Sequence, residues 1–263
     1  MPVYPPLLLA LAYFGLGAGY GWQLRAPGKL LRAGLRVLAV VLALVQLALL
    51  AQAVPDGDLT LGFGNAVSLL GAAVVLLFAG VSLLRGIDNL GVVLAPLAGV
   101  SVLLMLLPDH SAPLPVSDVL PLALHVLLSL AAYALLALAA LQALVMAYQD
   151  GRLRQHTPGR VLRVLPPLGD MERLLFQLLG LGFAALTLAL LSGVLFLGDI
   201  FAPHLIEKTV LSIAAWVVIG TLLVGRRRAG WRAQTAVRWT LAGFALLALG
   251  YLGSKFALEF VLA

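Results

Sequence analysis

The sequence predicts an all-α fold: a polytopic membrane protein built as a bundle of about eight transmembrane helices, with both termini extracytoplasmic. Three observations predict it. The 263 residues are 62% hydrophobic and only 11% charged, whereas ordinary soluble domains are about 45–50% apolar and about 25% charged. Mean hydropathy is +1.08, so lipid has to serve as solvent for much of the chain. The few charges also change sign from one connection to the next. Residues 1–263 read as a single integral membrane domain with no soluble module.

A span needs about 20 predominantly apolar residues. Runs of that kind lie near 5–22, 35–54, 65–84, 90–107, 121–147, 175–197, 205–224 and 239–261. The first follows "MPVYPP", which carries no Lys or Arg. A cleavable signal peptide needs a positive n-region, so this run is expected to stay as a membrane helix. Its "YFGLGAGYGW" sets Gly15, Gly17, Gly19 and Gly21 on small-residue faces suited to close helix packing; a glycine-lined crevice is the other reading. Span two follows Arg25, Lys29, Arg32 and Arg36, and only Asp56 and Asp58 separate it from span three. A tight turn, "RGIDNLG" with Arg85 and Asp88, divides spans three and four.

Asp109, His110 and Asp118 lead into span five, and Arg152, Arg154, Arg160, Arg163 and Arg173 lie between five and six. In that longest polar connection, about 149–174, Val161, Leu162, Val164 and Leu165 alternate with Arg160 and Arg163. Such a pattern suits a short helix lying in the interface or a basic tether, and Pro166 and Pro167 would end it. The charged stretch holding Asp199, His204, Glu207 and Lys208 leads into the start of span seven; the basic "GRRRAGWRAQTAVRW" leads to span eight, where Lys255 and Glu259 are spaced as an i, i+4 ion pair.

Lys and Arg in short loops mark the cytoplasmic side. By that rule every odd connection is inside and every even one outside, and all Lys and Arg except Lys208 and Lys255 fall inside. The net charge of +6 is therefore a topology signal and a contact for anionic membrane lipid, not a nucleic-acid surface. The chain contains no cysteine, which excludes disulfides, thiolate ligands and covalent haem attachment. A cofactor would be held by His, carboxylate or packing.

Ionisable groups inside spans are costly and are functional candidates by default. His125 opens span five, and Ser129 and Tyr133 follow at four and eight residues, near one helical face. Two readings are open: the imidazole hydrogen-bonds a neighbouring carbonyl and anchors the helix, or it ligates a metal or haem iron. His204 sits at about the same depth by topology, either as an exposed loop residue or as a second metal ligand. Span seven carries Lys208, Ser212 and Trp216 at the same spacing. Lys208 pairs with Glu207, snorkels outward, or meets an anionic ligand such as a haem propionate. His110 reads as a solvated loop residue, and His156 has no evident partner. The sequence lacks HExxH, GxSxG and P-loop motifs, a chain of intramembrane carboxylates and an inverted repeat, so an enzyme is not expected.

From "HVLLSLAAYALLALAALQALV" onward, about 119–263, the chain resembles the cytochrome c assembly family, the CcsA/CcmC-type haem-handling membrane proteins. It is most similar to their small YpjD/HemX-like branch. His125, Ser129 and Tyr133 match that family's "H-x3-S-x3-Y-A" span. "EKTVLSIAAWVV" resembles the helix after its tryptophan-rich segment, with Lys208 and Trp216 in register, and "GWRAQTAVRWTLAGFALLALGYLG" resembles its closing turn and last span. The tryptophan-rich loop itself is absent: "LGDIFAPHLI" precedes Lys208.

The resemblance implies an inner-membrane, multi-pass protein that binds or hands on haem b non-covalently at the extracytoplasmic face, in company with other membrane assembly proteins. His125 would be the axial ligand, oriented by Ser129 or Tyr133, with Lys208 and Trp216 as further haem-site residues; His204 matches no ligand of the family and is added as a candidate by its depth alone. A scaffold or regulator without haem, and a small-solute or lipid transporter with a cavity between spans five and seven, are the competing classes.

Overall fold

The computed structural model describes residues 3–52, 62–107, 119–154, 165–196 and 206–253. The described residues are all-helical, and eight helices fall into two compact units, α1–α4 and α5–α8. Seven of the eight, the fourth taken with its flanking 3₁₀ turns as Asp88–Leu106, are long and apolar enough to cross a membrane. His110, His156, His204, Lys255, Glu259 and the amphipathic stretch at 160–164 lie outside the described residues.

The first unit comprises α1 (Tyr4–Arg25), α2 (Lys29–Gln52), α3 (Phe63–Arg85) and α4 (Gly91–Leu103). Two prolines occupy the first turn of α1, where their missing N–H groups would be unpaired in any case. Gly86 stops α3 in the left-handed conformation with φ 61°, which glycine adopts without steric cost. A single 3₁₀ turn, Asp88–Leu90, then reverses the chain into α4. The "RGIDNLG" turn also carries a charge pair that the sequence pattern left open. Arg36 Nε and Nη2 donate to the two oxygens of Asp88 at 2.8 and 2.7 Å, a bidentate clamp between α2 and the turn.

α1 packs chiefly against α4, and α2 against α3. The glycine stripe of α1 divides its work. A Cβ on Gly17 would stand 2.7 Å from the Pro96 ring of α4, and one on Gly19 would stand 2.7 Å from Leu35 of α2, while Gly15 and Gly21 face open space. Close packing is therefore confined to two of the four positions. Leu8 and Leu11 on the outer face are 67% and 66% exposed, a surface suited to acyl chains.

Gly64 is the tightest of these approaches, because a Cβ there would meet the backbone carbonyl of Leu104 and nothing flexible could yield. Gly64→Ala is expected to destabilise the protein by about 1–3 kcal/mol through overpacking. Gly80, on the exposed side of α3 with nothing nearby, should instead gain about 0.5–1 kcal/mol on the same substitution. Thermal unfolding of both variants in detergent checks the opposite signs.

The second unit comprises α5 (Val119–Arg154), α6 (Leu168–Phe196), α7 (Ile206–Arg228) and α8 (Gln234–Ala248), which widens into a π turn at Leu249–Gly253. α5 runs seven residues past the apolar run ending at 147, since polar contacts extend it: Gln149 Nε2 donates to the Pro166 carbonyl at 3.2 Å and Asp150 accepts from Gln234 at 2.6 Å. α5 and α6 form the main pairing, α8 lies against α5 and α7, and α6 also touches α7. Gly182 lets α6 approach α5 closely, as a Cβ would stand 2.7 Å from Leu136. One end of this unit gathers His125, Ser192 and Lys208; the other gathers the arginines of α7 and the corner that follows it.

Candidate functional site

His125 lies two turns into α5, half-buried, with its ring turned toward α6. Its Nδ1 is 2.9 Å from Ser192 Oγ, and that hydroxyl is itself 2.8 Å from the Ala189 carbonyl. The Ala189 carbonyl also interacts with the ring. Ser192 is only 4% exposed. On the other side of the ring, Ser129 Oγ stands 3.5 Å from Nε2, at the outer limit for a hydrogen bond. One imidazole nitrogen is thus firmly held and the other is nearly free.

The H-x3-S-x3-Y stripe does not stay on one surface. Each four-residue step rotates about 40° around an α-helix, so by Tyr133 the side chain has left α6. The Tyr133 hydroxyl donates to the Leu247 carbonyl at 2.9 Å, interacts with Ser212, and its ring lies 5.7 Å from that of Tyr251. Tyr133 thereby ties α5 to α7 and α8, and its polar atom is committed there.

α7 shows the same drift. Ser212 reaches Tyr133, whereas Trp216 turns to α6: its Nε1 donates to Thr187 Oγ1 at 2.8 Å and its indole stacks on Phe183 at 5.2 Å. Thr187 and Phe183 lie on a different side of α6 from Ser192, about 140° from it for Thr187 at 3.6 residues per turn. Trp216 is therefore placed apart from His125. Lys208 is half-buried in the first turn of α7, with Glu207 beside it, at the same end of the unit as His125. Among the described residues, no three His, Asp or Glu side chains group to hold a bare metal ion.

Two features had no counterpart in the sequence reading. Ser192 is one, a lone hydroxyl in the apolar "LALLSGVLF"; a buried polar group in such a run was its only signal. The other is a charged cluster at the far end of the unit. Glu172 Oε1 accepts from Arg226 Nη1 and from Arg232 Nε, the latter at 3.3 Å. Beside it is a cavity of about 40 Å³, lined in part by Met146, Asp150, Glu172 and Gln234. It has room for ordered water and none for a drug-sized ligand.

A sequence model described as "Cytochrome C assembly protein" matches residues 33–262, a match that begins well before the 119–263 segment carrying the motifs. "Inner membrane protein YpjD" of Escherichia coli strain K12 is 37% identical over 97 residues, 37% of this chain and 37% of that protein. An "Uncharacterized 28.8 kDa protein in nifR3-like 5'region" of Azospirillum brasilense is 38% identical over 119 residues, 43% of each chain. The alignments thus span less than half the length of these curated relatives. No solved structure matches the chain. With seven apolar helices of membrane-spanning length among the described residues and the family match over most of its length, the chain belongs to the cytochrome c assembly protein family and is a multi-pass protein of the inner membrane.

Proposed function

We propose that this protein binds or hands on haem b at the extracytoplasmic face, with His125 as the axial ligand. The observation that carries the reading is the imidazole itself: Nδ1 is held by Ser192 at 2.9 Å while Nε2 meets only a 3.5 Å contact. A neutral imidazole with one nitrogen anchored and the other available is the arrangement iron takes from histidine. A haem brings four nitrogens of its own, so a lone protein nitrogen suits it where a bare ion would need several ligands. When bound, haem b supplies an iron centre that is either kept or passed to a partner.

The remaining residues take supporting parts. Ser129 flanks Nε2, and Lys208 is the half-buried cation suited to a propionate. His204, outside the described residues, is the sequence's candidate for a second ligand. Tyr133 and Trp216 hold helices together through their bonds to Leu247 and Thr187. The loop charges support placing the His125 end outside, since the described arginines of α5–α8 gather at the opposite end of these helices. A scaffold without haem, in which His125 only ties α5 to α6, draws on the same 2.9 Å bond.

An absorption spectrum separates the two. Protein purified from haem-replete cells should carry a Soret band, and His125→Ala should reduce haem occupancy at least tenfold while the variant still folds. Colourless wild-type protein would overturn the haem reading. A Soret band that survives the substitution would move the ligand away from His125.

A further inference from the structure

We propose that Ser192 is the positioning residue of the site: it fixes the Nδ1–H tautomer of His125 and so keeps the Nε2 lone pair available to iron. The inference rests on the haem reading for its purpose and on hydrogen-bond arithmetic for its content. A serine hydroxyl has one proton. The Ala189 carbonyl, 2.8 Å from Ser192 Oγ, can only accept, so the hydroxyl proton is directed there. The ring nitrogen at 2.9 Å must then bring its own proton. A neutral imidazole has a single N–H, and with that proton on Nδ1 the other nitrogen is bare.

The opposite tautomer is disfavoured on the same count. With the proton on Nε2, Nδ1 and the Ala189 carbonyl would compete for the single Ser192 proton. The Ala189 carbonyl keeps its helical bond from the Gly193 N–H in either case, so the opposite tautomer forfeits one hydrogen bond of the chain, a bias of several-fold to about tenfold. Ser129 does not reverse this. Its hydroxyl is 3.5 Å from Nε2, close enough to steady the ring and too far to occupy the lone pair. A helical serine three residues beyond its acceptor carbonyl, facing a histidine on the neighbouring helix, thus acts as a relay from backbone to ligand. Partners of this kind commonly set a ligand's affinity by about 10- to 100-fold.

Two measurements test the proposal, one needing no haem. In haem-free protein labelled with ¹⁵N-histidine, and with His125→Gln used to assign the signals, the wild type should show a protonated Nδ1 and an unprotonated Nε2. Ser192→Ala should shift the ring toward the other tautomer, and Ser192→Thr, which keeps the hydroxyl, should restore the wild-type pattern. Haem titration followed by the Soret band should then show about tenfold or greater loss of affinity for Ser192→Ala and recovery for Ser192→Thr. A wild-type ring protonated on Nε2, or a ring and haem affinity unchanged by Ser192→Ala, would overturn the proposal while leaving haem binding at His125 intact. Wild-type protein with the expected tautomer and its collapse in Ser192→Ala, yet no haem uptake, would support the positioning role and refute the haem reading.

Discussion

Gln46→Leu is expected to destabilise the first unit by about 2–4 kcal/mol, and the loss should shrink when Tyr13→Phe is added. Gln46 is fully buried on α2 and reaches every other helix of its unit. Its Oε1 accepts from Tyr13 of α1 at 2.8 Å, and its Nε2 donates to the carbonyl and hydroxyl of Ser68 on α3 at 2.9 and 2.8 Å. A longer contact of 3.3 Å runs to Ser101 on α4. Gly71 makes the room, since a Cβ there would lie 2.2 Å from Ser101 Oγ. Interhelical hydrogen bonds in membranes average only about 0.6 kcal/mol, so the lost bonds alone would give a modest effect.

The larger cost is what stays behind. Tyr13 is 0% exposed, and without Gln46 its hydroxyl is stranded, a penalty of about 1–3 kcal/mol. Ser101 loses less, because its own hydroxyl already donates to the Ala98 carbonyl at 2.7 Å. Removing both polar partners should therefore cost less than the sum of the single changes, by about 1–2 kcal/mol. Unfolding in mixed detergent micelles, followed by helical circular dichroism for the four members of the cycle, measures the difference. Strict additivity would show that Tyr13 and Gln46 are not coupled.

The periodicity of apolar residues made the helices legible and left most of their pairings hidden. A run of about 20 apolar residues announces a span whatever its neighbours, and seven described helices have the length and apolarity to be such spans; the run at 239–261 is described only as far as Gly253. The end of α5 was hidden because Gln149 and Asp150 extend the helix through partners at Pro166 and Gln234, which only the folded chain brings near. His125, Ser129 and Tyr133 were legible as candidates, being polar in an apolar run. That Tyr133 leaves the other two was not, because four-residue spacing looks one-sided while the helix turns about 40° at each step. The same rotation sends Ser212 to Tyr133 and Trp216 to Thr187. The arginines were legible as a topology signal through their count in each loop. Which of them are also structural, Arg36 with Asp88 and Arg226 with Glu172, depends on lone acids whose partners are 52 and 54 residues away in sequence.

That last cluster carries the second large expectation: Glu172→Ala should free the corner between α7 and α8. Glu172 is 8% exposed and serves two guanidinium groups. Arg226 also lies 4.6 Å over the Phe176 ring and contacts the Trp231 carbonyl at 3.4 Å. The corner closes around Trp231, whose indole occupies the space where a Cβ on Gly225 would stand 2.5 Å away. Gly230 at φ 64° and Ala233 at φ 48° turn the chain through conformations that an ordinary residue resists. The carboxylate is thus the point at which α6 holds a strained connection shut.

Removing it leaves two cations facing each other with no acid between them. Breaking a fully buried pair costs about 3–5 kcal/mol, but the Arg226 and Arg232 side chains are 32% and 66% exposed. Water and lipid headgroups screen them, and a local cost of about 2 kcal/mol is the reasonable expectation. Arg226, Arg227, Arg228 and Arg232 are all trypsin sites, so the opening can be read directly. Where reclosing outpaces cleavage, the cut rate follows the open population, and about 2 kcal/mol corresponds to roughly thirty-fold faster cleavage at this corner. Glu172→Gln, which keeps an acceptor but loses the charge, should fall between the alanine variant and the wild type. Equal cleavage rates for all three proteins would mean that the corner is closed by Trp231 packing alone, and that the two arginines serve only to orient the chain in the membrane.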